Sequence, residues 1–242
     1  MNIGRKHSAL LLLLAIYLAV TLSYGLLNPL GEAPDETAHM ELIRFIGEQG
    51  HLPRNEADRQ AAGYKSDGPM LYHILVGAAT SWVNYDELPH LKASDLSPRR
   101  ILINDGLSPF AVIHTDDEIP PYQGVVLAWR LARLASALFS LGTLVVVYTI
   151  VLTIRPGDFW LALGTTAIVA AVPRFHFMAS VVNDDNLLGL LIALFTLGLV
   201  KAWQHPEGRW VYAGLSVWMG LAVTTKYSVI LLPILVVVVL AY

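Results

Sequence analysis

Apolar residues fall into long runs along this chain, separated by one extended polar stretch. Ser8–Leu27 is the first run; it carries no charge and follows Arg5 and Lys6. A helix of that length crosses a hydrocarbon core of about 30 Å. A cleavable leader has a shorter apolar region, about 7–15 residues, with a small-residue site behind it. Leu26-Leu27-Asn28-Pro29 offers no such site, so the run reads as a retained span. Beyond the polar stretch, the runs Leu134–Ile154, Phe159–Val172, Leu187–Trp203, Trp210–Val223 and Val229–Tyr242 predict five more. The shortest, about fourteen residues, must borrow flanking Trp, Tyr and Ala to reach across a bilayer. The chain stops inside the last run, without a polar flank, and so reads as the N-terminal portion of a longer membrane protein.

The polar stretch, Asn28 to about Trp129, opens at Pro34-Asp35-Glu36-Thr37-Ala38-His39. Proline suits the first turn of a helix, and acids there complement the helix dipole. Met40-Glu41-Leu42-Ile43-Arg44-Phe45-Ile46 then mixes apolar and charged residues, as an amphipathic helix lying on a bilayer does. The pattern breaks at Gly50-His51-Leu52-Pro53 and resumes at Pro69, running to about Val83. That second segment is too short to span, and its Tyr72, His73 and Trp82 suit an interfacial helix. Asn84–Gly124 reads as loop with one short helix. The predicted fold is therefore one all-α, polytopic transmembrane helix bundle over residues 1–242. Its first span is 8–27, its long loop with interfacial helices is 28–129, and further spans fill 130–242.

Composition agrees. Hydrophobic residues make up 55% of the chain and charged residues 14%, against about 25% charged in a soluble domain. A net charge of −3 without a basic patch excludes nucleic acid as the expected partner. With no cysteine there is no disulfide, thiol nucleophile or thiolate metal site. Placing Arg5 and Lys6 in the cytoplasm puts Arg155, Lys201 and Arg209 on that side too, as positive residues in short loops require. Residues 28–129, Asn183-Asp184-Asp185 and Lys226 then share the external face.

That face is where chemistry is expected. On a helix His39 lies one turn from both Asp35 and Glu36, so the three can share a site. Asp184 and Asp185 precede the apolar Leu187–Leu191, which fits either a helix cap or ionisable groups placed for function. Together the acids could supply a general base, a cation site, or both. Lys226, Arg130 and Arg133 could bind a phosphate at the membrane surface, or simply snorkel to the interface.

In order along the chain, these features resemble the GT-C membrane glycosyltransferases. Pro34-Asp35-Glu36-x-x-His39 after the first span is similar to their first-loop acidic motif, within the protein O-mannosyltransferase and aminoarabinose-transferase-like branch (glycosyltransferase family 39-like). Gly68-Pro69-Met70-Leu71-Tyr72-His73 resembles that branch's Pro-Pro-Leu-Tyr-Tyr segment, with Gly68 and His73 as departures. Arg133-Leu134-Ala135-Ser136-Ala137-Leu138 with Thr143 and Tyr148, the acidic Asn183-Asp184-Asp185-Asn186-Leu187-Leu188, and Gly220-Leu221-Ala222-x-Thr224-Thr225-Lys226 with Pro233 complete the series.

The resemblance implies transfer of a sugar from a polyprenyl-phosphate donor to an acceptor hydroxyl on a glycan, lipid or protein, with inversion, at the outer face of the bilayer. It casts Asp35 as general base, with Glu36 the other catalytic residue. His39, Asp184, Asp185, Lys226, Arg133 and Tyr72 would bind substrate, Lys226 at the lipid phosphate. A divalent cation, where one is used, would sit among Asp35, Glu36, Asp184 and Asp185. The alternative is a polytopic transporter using its acids for an ion or substrate. Transporters place such acids near the midplane within repeated halves, whereas here they fall at helix ends without a repeat.

Overall fold

The chain is described here from a computed structural model, covering residues 3–85, 116–231 and 233–234. The uncharged run becomes α1, Ile3–Leu27. Its Leu11, Leu12 and Ile16 face outward, as they should on a helix whose solvent is lipid. Two long apolar helices accompany it, α5 (Gly124–Ile154) and α8 (Asp185–Gln204). Among the described residues these three are long and apolar enough to cross a membrane, and no strand occurs. The fold is all-α and polytopic.

The expected third span, Phe159–Val172, is a helix of 12 residues that ends just before Pro173, and a second short helix follows it at a bend. α6 (Phe159–Ala170) and α7 (Pro173–Ala179) meet at 69°, because Pro173 has no N–H to carry a helix across the junction and instead opens the second piece. The expected fifth span is α9, Arg209–Val223, only 15 residues long. The sixth begins as a 3-10 turn at Tyr227–Leu231, and the rest lies mostly outside the described residues. The loop expected at 84–124 lies mostly outside them too, resuming at a 3-10 turn, Asp116–Glu118.

Between α1 and α5 the chain builds a small helical layer. α2 (Glu36–Gln49) ends at Gly50, whose φ of 66° lets its N–H close on the Ile46 carbonyl. α3 (Glu56–Ala62) starts where the Asn55 side chain accepts from the Asp58 amide at 2.9 Å, and a 3-10 turn, Tyr64–Asp67, follows. α4 is Leu71–Thr80. It packs on α2 at Gly77, where a Cβ would stand 3.1 Å from both the Ile43 carbonyl oxygen and Ile46. Tyr72 and His73 are not the interfacial residues their position suggested: both are buried, and only Trp82 is exposed.

The core runs from this layer into the bundle, through Met40, Ile43, Tyr72, Val76, Trp129 and Leu188. α5 is its axis, contacting α1, α4, α6, α7 and α8. The α4 N-terminus is pinned to the end of α9 by the Leu71 amide donating to the Thr224 carbonyl, 3.0 Å. The layer therefore sits on the end of the bundle where α8 begins and α9 ends.

Candidate active site

Asp35, Glu36 and His39 share one short stretch of chain, but their side chains diverge. Asp35 stands at the start of α2 with φ 62°, in the left-handed region that a non-glycine residue rarely enters. Its carboxylate gives the helix no cap hydrogen bond and is turned outward. There Oδ1 accepts from the Tyr64 phenol at 2.7 Å and Oδ2 from Lys65 Nζ at 3.1 Å. The Tyr64 hydrogen bond, ahead of that from Lys65, holds the Asp35 carboxyl below its ordinary range. The same bond pushes the phenol up to about 12.

Glu36 turns inward and is fully buried. Arg133 Nε and Nη2 grip its two oxygens at 2.7 and 2.8 Å, and the Val182 and Gly31 amides donate to the same oxygens at 3.0 and 3.1 Å. Arg133 spends its remaining donors on the carbonyls of Gly25, Asn28 and Pro29. Five donors and four acceptor positions are thus matched inside the protein. This corrects the expected roles of both residues: Arg133 has no N–H left for a phosphate, and Glu36 no lone pair for a cation or an acceptor. Arg130, also expected at a phosphate, pairs with Glu118 at 2.9 Å and donates to the Gly25 carbonyl. Tyr72 is likewise internal, its hydroxyl 2.8 Å from Ser136 Oγ.

His39 faces a third direction. Its Nδ1 lies 2.9 Å from His73 Nε2, and its Nε2 lies 3.9 Å from Asp184 Oδ1. Burial, the largest influence, pushes both imidazoles well below the ordinary histidine range, so both are neutral. One proton arrangement avoids setting a bare nitrogen against the Asp184 carboxylate: both rings carry hydrogen on Nε2, His73 donates to His39, and His39 presents its N–H to Asp184. His73 Nδ1 is then a bare lone pair, which matches its lack of any hydrogen-bond partner.

On the other side of Asp184 stands Lys226, 3.3 Å away and 2.6 Å from Asp185. Burial opposes the ammonium charge, but the two carboxylates outweigh it and raise the Lys226 pKa. The α8 start is fixed by Asn183, whose Oδ1 accepts from the Asp185 amide at 2.7 Å, so neither aspartate is needed as the cap. Asn186 adds a buried bond from Ser140 at 2.9 Å, tying this turn to α5.

The structure thus brings Asp184, Asp185, Lys226 and His39 together and leaves Asp35 on the rim with Tyr64 and Lys65. Sequence reasoning missed Tyr64, Lys65 and the part played by His73. The Asn55-x-x-Asp58 cap was a usable signal for the helix that leads into Tyr64. The four carboxylates expected around a cation do not converge. Glu36 is saturated, and among the described residues no group of three or more His, Asp or Glu side chains could hold a metal ion.

No curated protein and no solved structure matches the chain. Residues 128–242, which run from within α5 through α9 and include Arg133, Asp184, Asp185 and Lys226, match the family described as dolichyl-phosphate-mannose-protein mannosyltransferase.

Proposed function

We propose that the protein is a membrane glycosyltransferase that moves a sugar from a polyprenyl-phosphate donor to an acceptor hydroxyl, at the external end of its bundle. The family matched by residues 128–242 implies the class of enzyme and donor. The observation that carries the reading onto this chain is the joining of its two acidic loops, through His39 and Asp184, beside Lys226. Basic Arg155 and Lys201 close the opposite ends of α5 and α8, which are tied by Gln204 donating to the Thr153 carbonyl. That polarity supports an outward-facing site.

In this reading Asp35, the exposed member of the Asp35-Glu36 pair, is the base. It takes the proton of the acceptor hydroxyl as that oxygen bonds to the anomeric carbon. The bond from that carbon to the phosphate oxygen breaks, and the electron pair leaves on phosphate, on the face opposite the attack. Lys226 meets the charge that develops there. Its two carboxylate neighbours hold it in place, while His39 and His73 hold Asp184. Glu36 and Arg133 act from inside, fixing the chain on which Asp35 is carried.

The test is transfer by the full-length protein in proteoliposomes, using a panel of radiolabelled polyprenyl-phosphate sugars. Asp35→Asn, equally expressed and folded, is expected to lose transfer by about a hundredfold or more, the usual contribution of a general base. Wild-type turnover in that variant would remove Asp35 from the mechanism. No turnover of any donor by the wild-type protein would remove the function.

A further inference from the structure

The Tyr64–Asp35 contact is not explained by folding. Tyr64 is 61% exposed, so its phenol has water available and gains little from this one acceptor. Asp35, for its part, does not use its carboxylate to cap α2, although it occupies the capping position. Two exposed groups have instead been brought to 2.7 Å, a hydroxyl hydrogen pointing at a carboxylate oxygen. A general base and the alcohol it deprotonates must adopt the same relation.

We propose that the Tyr64 phenol stands in the place of the acceptor hydroxyl, and that Tyr64 with Lys65 forms a gate which the acceptor displaces. This rests on Asp35 being the base. The gate is a short unit. Its 3-10 turn is bracketed by Gly63, with φ 76°, and by Gly68. It is anchored by buried Ser66, whose amide donates to the Gly63 carbonyl at 3.0 Å. A Cβ at Gly63 would stand 2.6 Å from Glu41 Oε2, so the hinge lies flush against α2. Of this turn, the side chains of Tyr64 and Lys65 reach Asp35, and both can swing away while Ser66 stays seated.

Closed, the gate does two things. It fills the position of the nucleophile, and it makes Asp35 a poorer base by donating two hydrogen bonds to it. Water is thereby kept from attacking the donor when no acceptor is bound. An acceptor that offers a hydroxyl and displaces Lys65 restores a stronger base at the moment it is needed. Phenylalanine at position 64 keeps the ring and its packing but opens the place on Asp35 to water.

The experiment uses the full-length protein in proteoliposomes with polyprenyl-phosphate-[14C]mannose and water as the sole acceptor. Tyr64→Phe is expected to raise donor hydrolysis by about fivefold, the factor matching one lost hydrogen bond of ordinary strength. The acid limb of its pH–rate profile is expected to move to higher pH as Asp35 regains basicity. In parallel, 3-fluorotyrosine at position 64 reports the contact itself: its 19F resonance is expected to differ between the protein with Asp35 and the Asp35→Asn variant, whether or not sugar is turned over. Identical 19F resonances would overturn the contact. Hydrolysis unchanged or lowered by Tyr64→Phe, with Asp35→Asn inactive, would overturn the gate and leave the proposed function standing. Hydrolysis undiminished in Asp35→Asn would overturn both the base and the gate built on it.

Discussion

The Arg133–Glu36 pair offers the sharpest test of how the site is held. Replacing Arg133 with Met keeps much of the side-chain length and removes the guanidinium. Glu36, fully buried, would lose both charge-assisted bonds and keep only the Gly31 and Val182 amides. Asn28 and Pro29 would lose the Arg133 donors to their carbonyls as well. Removing one partner of a buried ion pair costs about 3–5 kcal/mol, because the charge that remains is uncompensated. For a chain of this size 1 kcal/mol corresponds to roughly 2–4 °C, so the melting temperature should fall by about 6–20 °C. Substituting Glu36 with Met as well removes the stranded charge. The double variant should therefore be less damaged than the sum of the two single ones, by about 1–3 kcal/mol. Thermal unfolding of the detergent-solubilised protein, followed by tryptophan fluorescence, measures all four members of the cycle. A loss below about 2 °C for Arg133→Met, or strict additivity, would refute the pair as the internal tie.

Two further outcomes follow from the same end of the bundle. His39 and His73 have their pKa values driven down by burial, to about 3. The unfolded chain therefore binds more protons between there and the usual 6.5 or so. Stability should be fully present near neutrality and fall as pH drops through that window; His39→Gln/His73→Gln should flatten the decline, and an unchanged slope would show that other groups set it. At Gly77, valine would press against the Ile43 carbonyl and the Ile46 side chain. The expected cost is about 1–3 kcal/mol from overpacking, read as a lower melting temperature; an unaffected value would mean that α2 and α4 separate easily.

How far the sequence leads depends on how local each signal is. The span Ser8–Leu27 and the run after Asp185 are contiguous and apolar, and α1 and α8 appear where they were expected. Pro173 likewise announces a break, although only the structure shows how sharp it is. Long-range pairing is what the sequence hides. Arg133 reads as a surface cation because its partner lies 97 positions away, and Glu36 reads as a companion of Asp35 because it is the next residue. Helical spacing put Asp35, Glu36 and His39 on one side, but the left-handed turn at Asp35 sends its carboxylate away from the other two. Tyr64 and Lys65 carried no motif, so nothing marked them before Asp35 was seen between them.

The internal tie also bears on how the protein is made. Glu36 takes one hydrogen bond from Val182, a residue 146 positions downstream. At translation speeds of about 5–20 residues per second, that interval occupies roughly 7–30 s after Glu36 leaves the ribosome. Throughout it the segment carrying Asp35 waits without its full set of partners, beside a first span already able to enter the bilayer. Insertion of the early helices and completion of the end that holds Glu36 are therefore separate events in the life of each chain, and the second is paced by synthesis of residues 133 to 182.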